Sequence, residues 1–187
     1  MKIKRILRTL IMVIIATGLI VSSDQVISQA ATVKKSDRSK IVRLVSNTIN
    51  YAAYEQSYNM KRGARKRLDF SKDSARKKVI SCPSYSYIKI ATFPYSNQKK
   101  MSICLFGTTT SEVSNPMIGD WGVTQPFYSG YKYIKQKNGS YKVTTSIMWK
   151  DNYINKTTRK GRVTFIVKRK SSSKYGFVLR KMTVRRI

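Results

Sequence analysis

Three kinds of hydrophobic spacing succeed one another along this chain. Residues 10–21 (LIMVIIATGLIV) form one almost wholly apolar run. From 41 to 59 the apolar positions Ile41, Leu44, Val45, Ile49, Ala52 and Ala53 follow helical spacing, which predicts an amphipathic helix with Ser36, Asp37 or Ser39 at its start. Tyr51, Tyr54 and Tyr58 recur near the same spacing and read as packing against a sheet. Gly63 breaks this helix, and a short second one is predicted over 71–80, with Ala75 and Val79 turned inward. From residue 85 onward the period becomes two. Strands are predicted at 85–92 and 101–108 around a turn at 94–99, then at 123–136, 141–150, 163–167 and 175–186. Asn138-Gly139 suits a two-residue type I′ turn, which would set Ile134 opposite Val143 and Tyr128 opposite Trp149. In the last strand Phe177 and Leu179 alternate, but Met182 and Val184 resume out of phase, so a bulge is expected near Arg180-Lys181.

One or two helices followed by about six antiparallel strands make an α+β pattern, an N-terminal helix packed on a curved sheet. The order of elements is similar to the layout of cone-shaped NTF2-like or cystatin-like folds, a likeness of layout that no sequence motif carries. A small β-barrel behind the helix is the alternative. No internal repeat is present.

The leading segment changes the picture. Lys2, Lys4, Arg5 and Arg8 precede the apolar run, and Ser28-Gln29-Ala30-Ala31 follows it. Basic, apolar, then small residues is the order of a secretory signal peptide. The run is twelve residues long, whereas a membrane-spanning helix takes about 20. An uncleaved membrane anchor is the competing reading. The expected organisation is a signal over 1–31, a flexible linker over 32–40 and one basic α+β domain over 41–187, of a size that buries a core. No cysteine lies near the cleavage region and the chain ends Val184-Arg185-Arg186-Ile187, so a free, secreted protein is expected.

Charge then dominates. The chain holds 38 Lys and Arg against 8 Asp and Glu, a formal net charge of +30. Such an excess favours attraction to polyanions. Twelve Tyr, 6 Phe and 2 Trp argue for a folded chain, since disordered charged chains are poor in aromatics. Cys82 and Cys104 either pair in an oxidising compartment or remain two buried thiols.

The 187 residues include no histidine. Nucleophilic catalysis by Cys–His or Ser–His pairs needs an imidazole, and zinc hydrolases rely on histidine ligands. Ser-x-x-Lys occurs at Ser74–Lys77, Ser96–Lys99 and Ser171–Lys174, without the partner motifs of penicillin-recognising enzymes. Glu112 and Asp120 flank a loop beside Trp121 and read as turn residues rather than a glycosidase pair. No phosphate loop or calcium-spaced carboxylates are present. The expectation is a non-enzyme with no catalytic residues, no metal and no cofactor.

The cations concentrate in two places. Residues 61–78 hold Arg62, Arg65, Lys66, Arg67, Arg76, Lys77 and Lys78, and the stretch after Asp151 is free of acids and holds Arg159, Lys160 and Arg162. These ten are the candidate polyanion contacts. Arg162 and Lys168 oppose the phase of Val163, Phe165 and Val167, which predicts a sheet with one apolar and one basic face. The expected partners are anionic wall polymers or a membrane surface, bound with steep salt dependence. Nucleic acid, stacking on tyrosines between 128 and 141, is less favoured because hairpin tyrosines pack across strands. The alternative function is an exported cavity-type module for a small molecule or peptide, lined by Tyr51, Tyr54 and Trp149.

Overall fold

A computed structural model of the chain describes residues 33–49, 60–81, 95–113, 125–151 and 154–187. Helix α1 is Lys35–Ile49, β1 Arg65–Asp69, α2 Asp73–Ile80 and α3 Tyr95–Phe106. Four long strands follow: β2 Gln125–Lys135, β3 Tyr141–Asp151, β4 Lys156–Arg169 and β5 Phe177–Arg186. They form one open antiparallel sheet in the order β1-β5-β4-β3-β2. The architecture is α+β. The sheet ends in two edges, β1 and β2, so the barrel alternative does not hold.

Alternation on the central strands builds the core. Val143, Ile147, Val163, Phe165, Val167, Leu179, Met182 and Val184 are fully buried or nearly so. They occupy the inward phase of β3, β4 and β5, in register with one another. Ile41, Leu44 and Val45 of α1 are also fully buried, and α1 touches β2 and β5. Helix α3 packs on β5, and α2 on α3.

Helix α1 begins at Lys35, not at 41, so most of the expected linker is helical. The reason is tertiary. Asp37 in the first turn is buried and meets Arg169 at 2.6 Å and the Tyr141 hydroxyl at 3.3 Å, and a carboxylate near a helix N-terminus is itself favourable. The predicted helical residues 50–59, including Tyr51, Tyr54 and Tyr58, lie outside the described residues.

Two further expectations are corrected. Residues 95–106 are helix α3 rather than a turn and a strand. Its buried positions Gln98, Met101, Ser102, Leu105 and Phe106 have helical spacing, but two of the five are polar, which hid the period. Gln98 is satisfied by the backbone of Val113, donating to its carbonyl at 3.1 Å and accepting from its N–H at 2.9 Å. The predicted strand at 85–92 and Cys82 lie outside the described residues. The sheet also contains β1, a strand the alternation does not predict, with sequence Arg-Lys-Arg-Leu-Asp and one buried side chain, Leu68. It is an edge strand, held by five residue pairs to β5.

The hairpin between β2 and β3 also differs. Gly139 alone is in the left-handed region, at φ 74°, and its N–H reaches Gln136 O at 3.0 Å. Gln136 N–H then meets Ser140 O at 2.8 Å. This is a three-residue loop with glycine at the left-handed position. Asn138 instead accepts the Ser140 N–H at 3.1 Å, an Asx turn. The register moves accordingly: Tyr133 faces Val143 and Ile134 faces Lys142, and a second shift between Ser129 and Lys132 sets Tyr128 opposite Ile147.

Each inner strand pair carries one irregularity. Gly130 and Tyr131 together oppose Thr145, Lys160 is an extra residue between the partners of Ile147 and Met148, and Arg180 is an extra residue between the partners of Ile166 and Val167. The last is the expected bulge in β5. Such bulges bend a strand and raise its twist.

The second helix forms where expected, and Ala75 and Val79 are buried. Its first residue, Asp73, accepts from Thr110 Oγ1 at 2.7 Å, from Ser111 N–H at 3.2 Å and from Ser111 Oγ, and pairs with Arg76 at 3.0 Å. The Ser111 and Thr110 hydroxyls hold this carboxyl far below the usual carboxylate range. A depressed folded-state pKa stabilises above the unfolded value, about 4, and that stabilisation drains away as pH falls. Melting temperature against pH should therefore fall below pH 4 in the wild type. In Asp73→Asn it should start lower at pH 7 and fall less steeply over the same range.

Candidate anion-binding face

The outward phase of the strands makes a different surface. Register places it in rows that run across the sheet. One row is Arg65, Arg185, Arg162, Ser146 and Ser129. The next is Arg67, Thr183, Thr164, Thr144 and Lys132. The third is Asp69, Lys181, Ile166, Lys142 and Ile134. These rows carry seven cations and one acid.

The first row sets three guanidinium side chains on adjacent strands, which lie about 4.8 Å apart. Arg65, Arg162 and Arg185 are exposed, and among the described residues none has a carboxylate within 4 Å. Like charges directly opposite one another destabilise a sheet. Sequence alternation alone does not require arginine at three neighbouring positions, since threonine occupies the same phase one row away.

The second and third rows enclose an open groove of about 450 Å³, lined by Arg67, Gln136, Lys142, Thr164, Ile166, Lys181 and Thr183. Thr144 and Thr164 share a hydroxyl hydrogen bond of 3.2 Å. Asp69 is turned aside: one carboxylate oxygen accepts from Ser71 N–H at 3.1 Å and Ser71 Oγ at 2.9 Å, and the other is 3.7 Å from Lys181. The Ser71 backbone and hydroxyl bonds hold the Asp69 carboxyl below its ordinary value, so it stays ionised at neutral pH.

The ten candidate contacts do not fall together. Arg65, Arg67 and Arg162 stand on this face. Arg62 is exposed in the turn before β1, and Lys66 takes the opposite phase, paired with Val184. Lys77 is half-buried and Lys78 exposed on α2. Arg159 pairs with Met148, and Lys160 is the bulge residue. Arg76 is not a surface cation. It is 8% exposed and donates to the carbonyls of Phe70 and Ser71, each at 2.9 Å. Lys132, Lys142, Lys181 and Arg185 stand on this face but are not among the ten. The signal for them was their polar phase on predicted strands, legible only once the strands are set in register.

The tyrosines turn the other way. Tyr128 is 5.8 Å from the Phe165 ring, Tyr131 stacks on Tyr133 at 6.1 Å, and Tyr141 meets Phe177 at 5.6 Å. Burial pushes the phenols of Tyr128, Tyr131 and Tyr133 above their ordinary pKa. These rings pack in the protein and do not stand among the cations of the open face. Trp149 shares the inward phase, opposite Pro126, while its expected pocket companions Tyr51 and Tyr54 lie outside the described residues.

Among the described residues no group of His, Cys, Asp and Glu is placed to hold a metal ion. Glu112 is exposed, and Asp120 lies outside the described residues. Cys104 is a half-buried free cysteine on α3. No helix among the described residues is long and apolar enough to cross a membrane. No protein-family model, curated protein or solved structure matches this chain.

Proposed function

We propose that this is an exported, non-catalytic protein that holds anionic cell-envelope polymers by charge, through the open face of its sheet. The observation that carries the reading is the row Arg65, Arg185, Arg162. Three arginines side by side, with no carboxylate near them among the described residues, cost the fold stability, and a polyanion laid across them removes that cost. The basic-apolar-small leader supports export, and outside a walled cell polyphosphates of the envelope are the nearest polyanion. A nucleic acid would gain phosphate contacts here but no aromatic stacking from the β2 tyrosines.

The test is co-sedimentation with isolated cell walls across a salt series, repeated after the anionic polymers are stripped. Retention should fall steeply and linearly in a log-log plot against salt, and should vanish on stripped walls. Retention indifferent to both salt and stripping overturns the reading.

A second reading has one observation behind it. The Tyr128 hydroxyl is buried with no hydrogen-bond partner among the described residues. In a cone-type, NTF2-like binding module a ligand beneath α1 would supply that partner. Salt-independent binding of a small molecule, lost in Tyr128→Phe, would favour it.

A further inference from the structure

We infer that the groove between the second and third rows is a discrete subsite for one phosphate group, so that the polymer is recognised there by geometry as well as by charge. This rests on the polymer-binding reading above.

The groove draws cations from three strands: Arg67 of β1, Lys181 of β5 and Lys142 of β3. Between them lie the hydroxyls of Thr183 and Thr164, neighbours across β5 and β4 in the row that begins at Arg67. Ile166 gives the lining an apolar patch. A tetrahedral oxyanion presents several acceptor oxygens in different directions, and this lining meets them with different kinds of donor. Arg67 brings a planar fork suited to two oxygens of a phosphate, and lysine brings a point charge. The two threonines add neutral O–H donors. In the Thr144–Thr164 pair either hydroxyl can be the donor; with Thr144 donating, the Thr164 proton is left for a ligand.

The existing partners give way easily. Among the described residues neither Arg67 nor Lys142 has a carboxylate within 4 Å. Lys181 is 3.7 Å from Asp69, with both side chains more than a third exposed, and such surface pairs hold weakly. Asp69 itself stays tied to Ser71, so Lys181 can turn to a ligand while the carboxylate remains at the rim. A carboxylate ligand would use the cations but leave part of this donor set idle. That is the reason to assign phosphate.

The experiment separates hydroxyl-specific recognition from bulk charge. The purified protein is titrated with inorganic phosphate, and separately with acetate, at constant ionic strength, and backbone amide shifts are followed by NMR. The Thr164→Val/Thr183→Val double variant keeps every charge and the β-branched shape. Arg67→Gln removes the fork. The inference expects saturable shifts at Arg67, Thr164 and Thr183 with phosphate, at least tenfold weaker with acetate. It also expects at least tenfold weaker phosphate binding in each variant. The double variant should still co-sediment with walls at low salt but should lose the fraction retained at high salt. Shifts that do not saturate, that acetate reproduces, or that survive in the double variant overturn the subsite. If wall retention stays salt-sensitive and polymer-dependent in those cases, the broader reading stands alone. Saturable, hydroxyl-dependent phosphate binding without any wall retention supports the subsite for free phosphate and overturns the polymer as its source.

Discussion

Arg185→Glu should make the protein more stable and less adhesive at once. Arg185 lies between Arg65 and Arg162 in a single cross-strand row. A glutamate there turns two like-charge neighbours into two opposite-charge ones. Cross-strand pairs of this kind contribute roughly 0.2–1 kcal/mol each, so a gain of about 1 kcal/mol is expected, or about 2–4 °C in melting temperature for a chain of this length. On the proposed reading, the binding face loses two units of positive charge at the middle of the polymer's track. At about 1 kcal/mol per surface cation, affinity for walls should fall about 30-fold. The log-log salt slope should flatten by about two. Scanning calorimetry and wall co-sedimentation read the two effects. Opposite signs exclude unfolding as the cause of lost binding. A variant that is both less stable and equally adhesive would sink the argument that this row is kept for a ligand.

Gly161→Val should have the largest effect on the fold. Gly161 is buried on the inward phase of β4, opposite Ile147. A Cβ at this position would meet the Arg185 carbonyl oxygen at 2.8 Å and Ile147 Cδ1 at 3.4 Å. The first contact is backbone and cannot rotate away. Moving it parts β4 from β5 at the end of their ladder, where Gly161 pairs with Arg186. Overpacking a core typically costs 1–3 kcal/mol, and the two added methyl groups of valine put this site at about 3 kcal/mol. Gly161→Ala should cost less, and the comparison with Gly139→Ala is informative. At Gly139 the added atom meets nothing within 4 Å, but φ is 74°, so a cost of about 1–2 kcal/mol arises from backbone conformation alone. Urea midpoints of the three variants should rank in that order. An unchanged midpoint for Gly161→Val would mean that β4 and β5 are not packed as described.

Some of this molecule could be read along the chain. The alternation of Val163, Phe165 and Val167 located the core strand, and the phase break after Leu179 located the bulge at Arg180. The expected apolar and basic phases of β4 are the two faces of the sheet. What could not be read depends on partners remote in sequence. Strand β1 has one apolar side chain and becomes a strand because β5 offers it a free edge. Helix α3 hides its period behind Gln98 and Ser102, whose polar groups are satisfied by Val113 and by the Thr108 carbonyl. Arg76 looks like any other member of a basic run, yet it is folded inward onto Phe70 and Ser71. The candidate site was legible as charge density but not as arrangement. The Arg65-Arg185-Arg162 row joins residues from three strands, and the shift of the hairpin register by one residue is what sets Ile134 rather than Lys135 beside Lys142.

The alternation of β3, β4 and β5 has one more consequence. Each strand spells two messages in interleaved letters, and only one of them is constrained by packing. Val143, Phe165 and Met182 belong to the message that keeps the fold; Lys142, Thr164 and Lys181 belong to the other. Substitutions in the second set leave the interior untouched. On the proposed polymer-binding reading, the outward letters could therefore change from one anionic polymer to another while the scaffold stays the same. For an engineer the same property makes the open face a panel of exchangeable positions, rewritten three or four at a time with no need to repack what lies behind it.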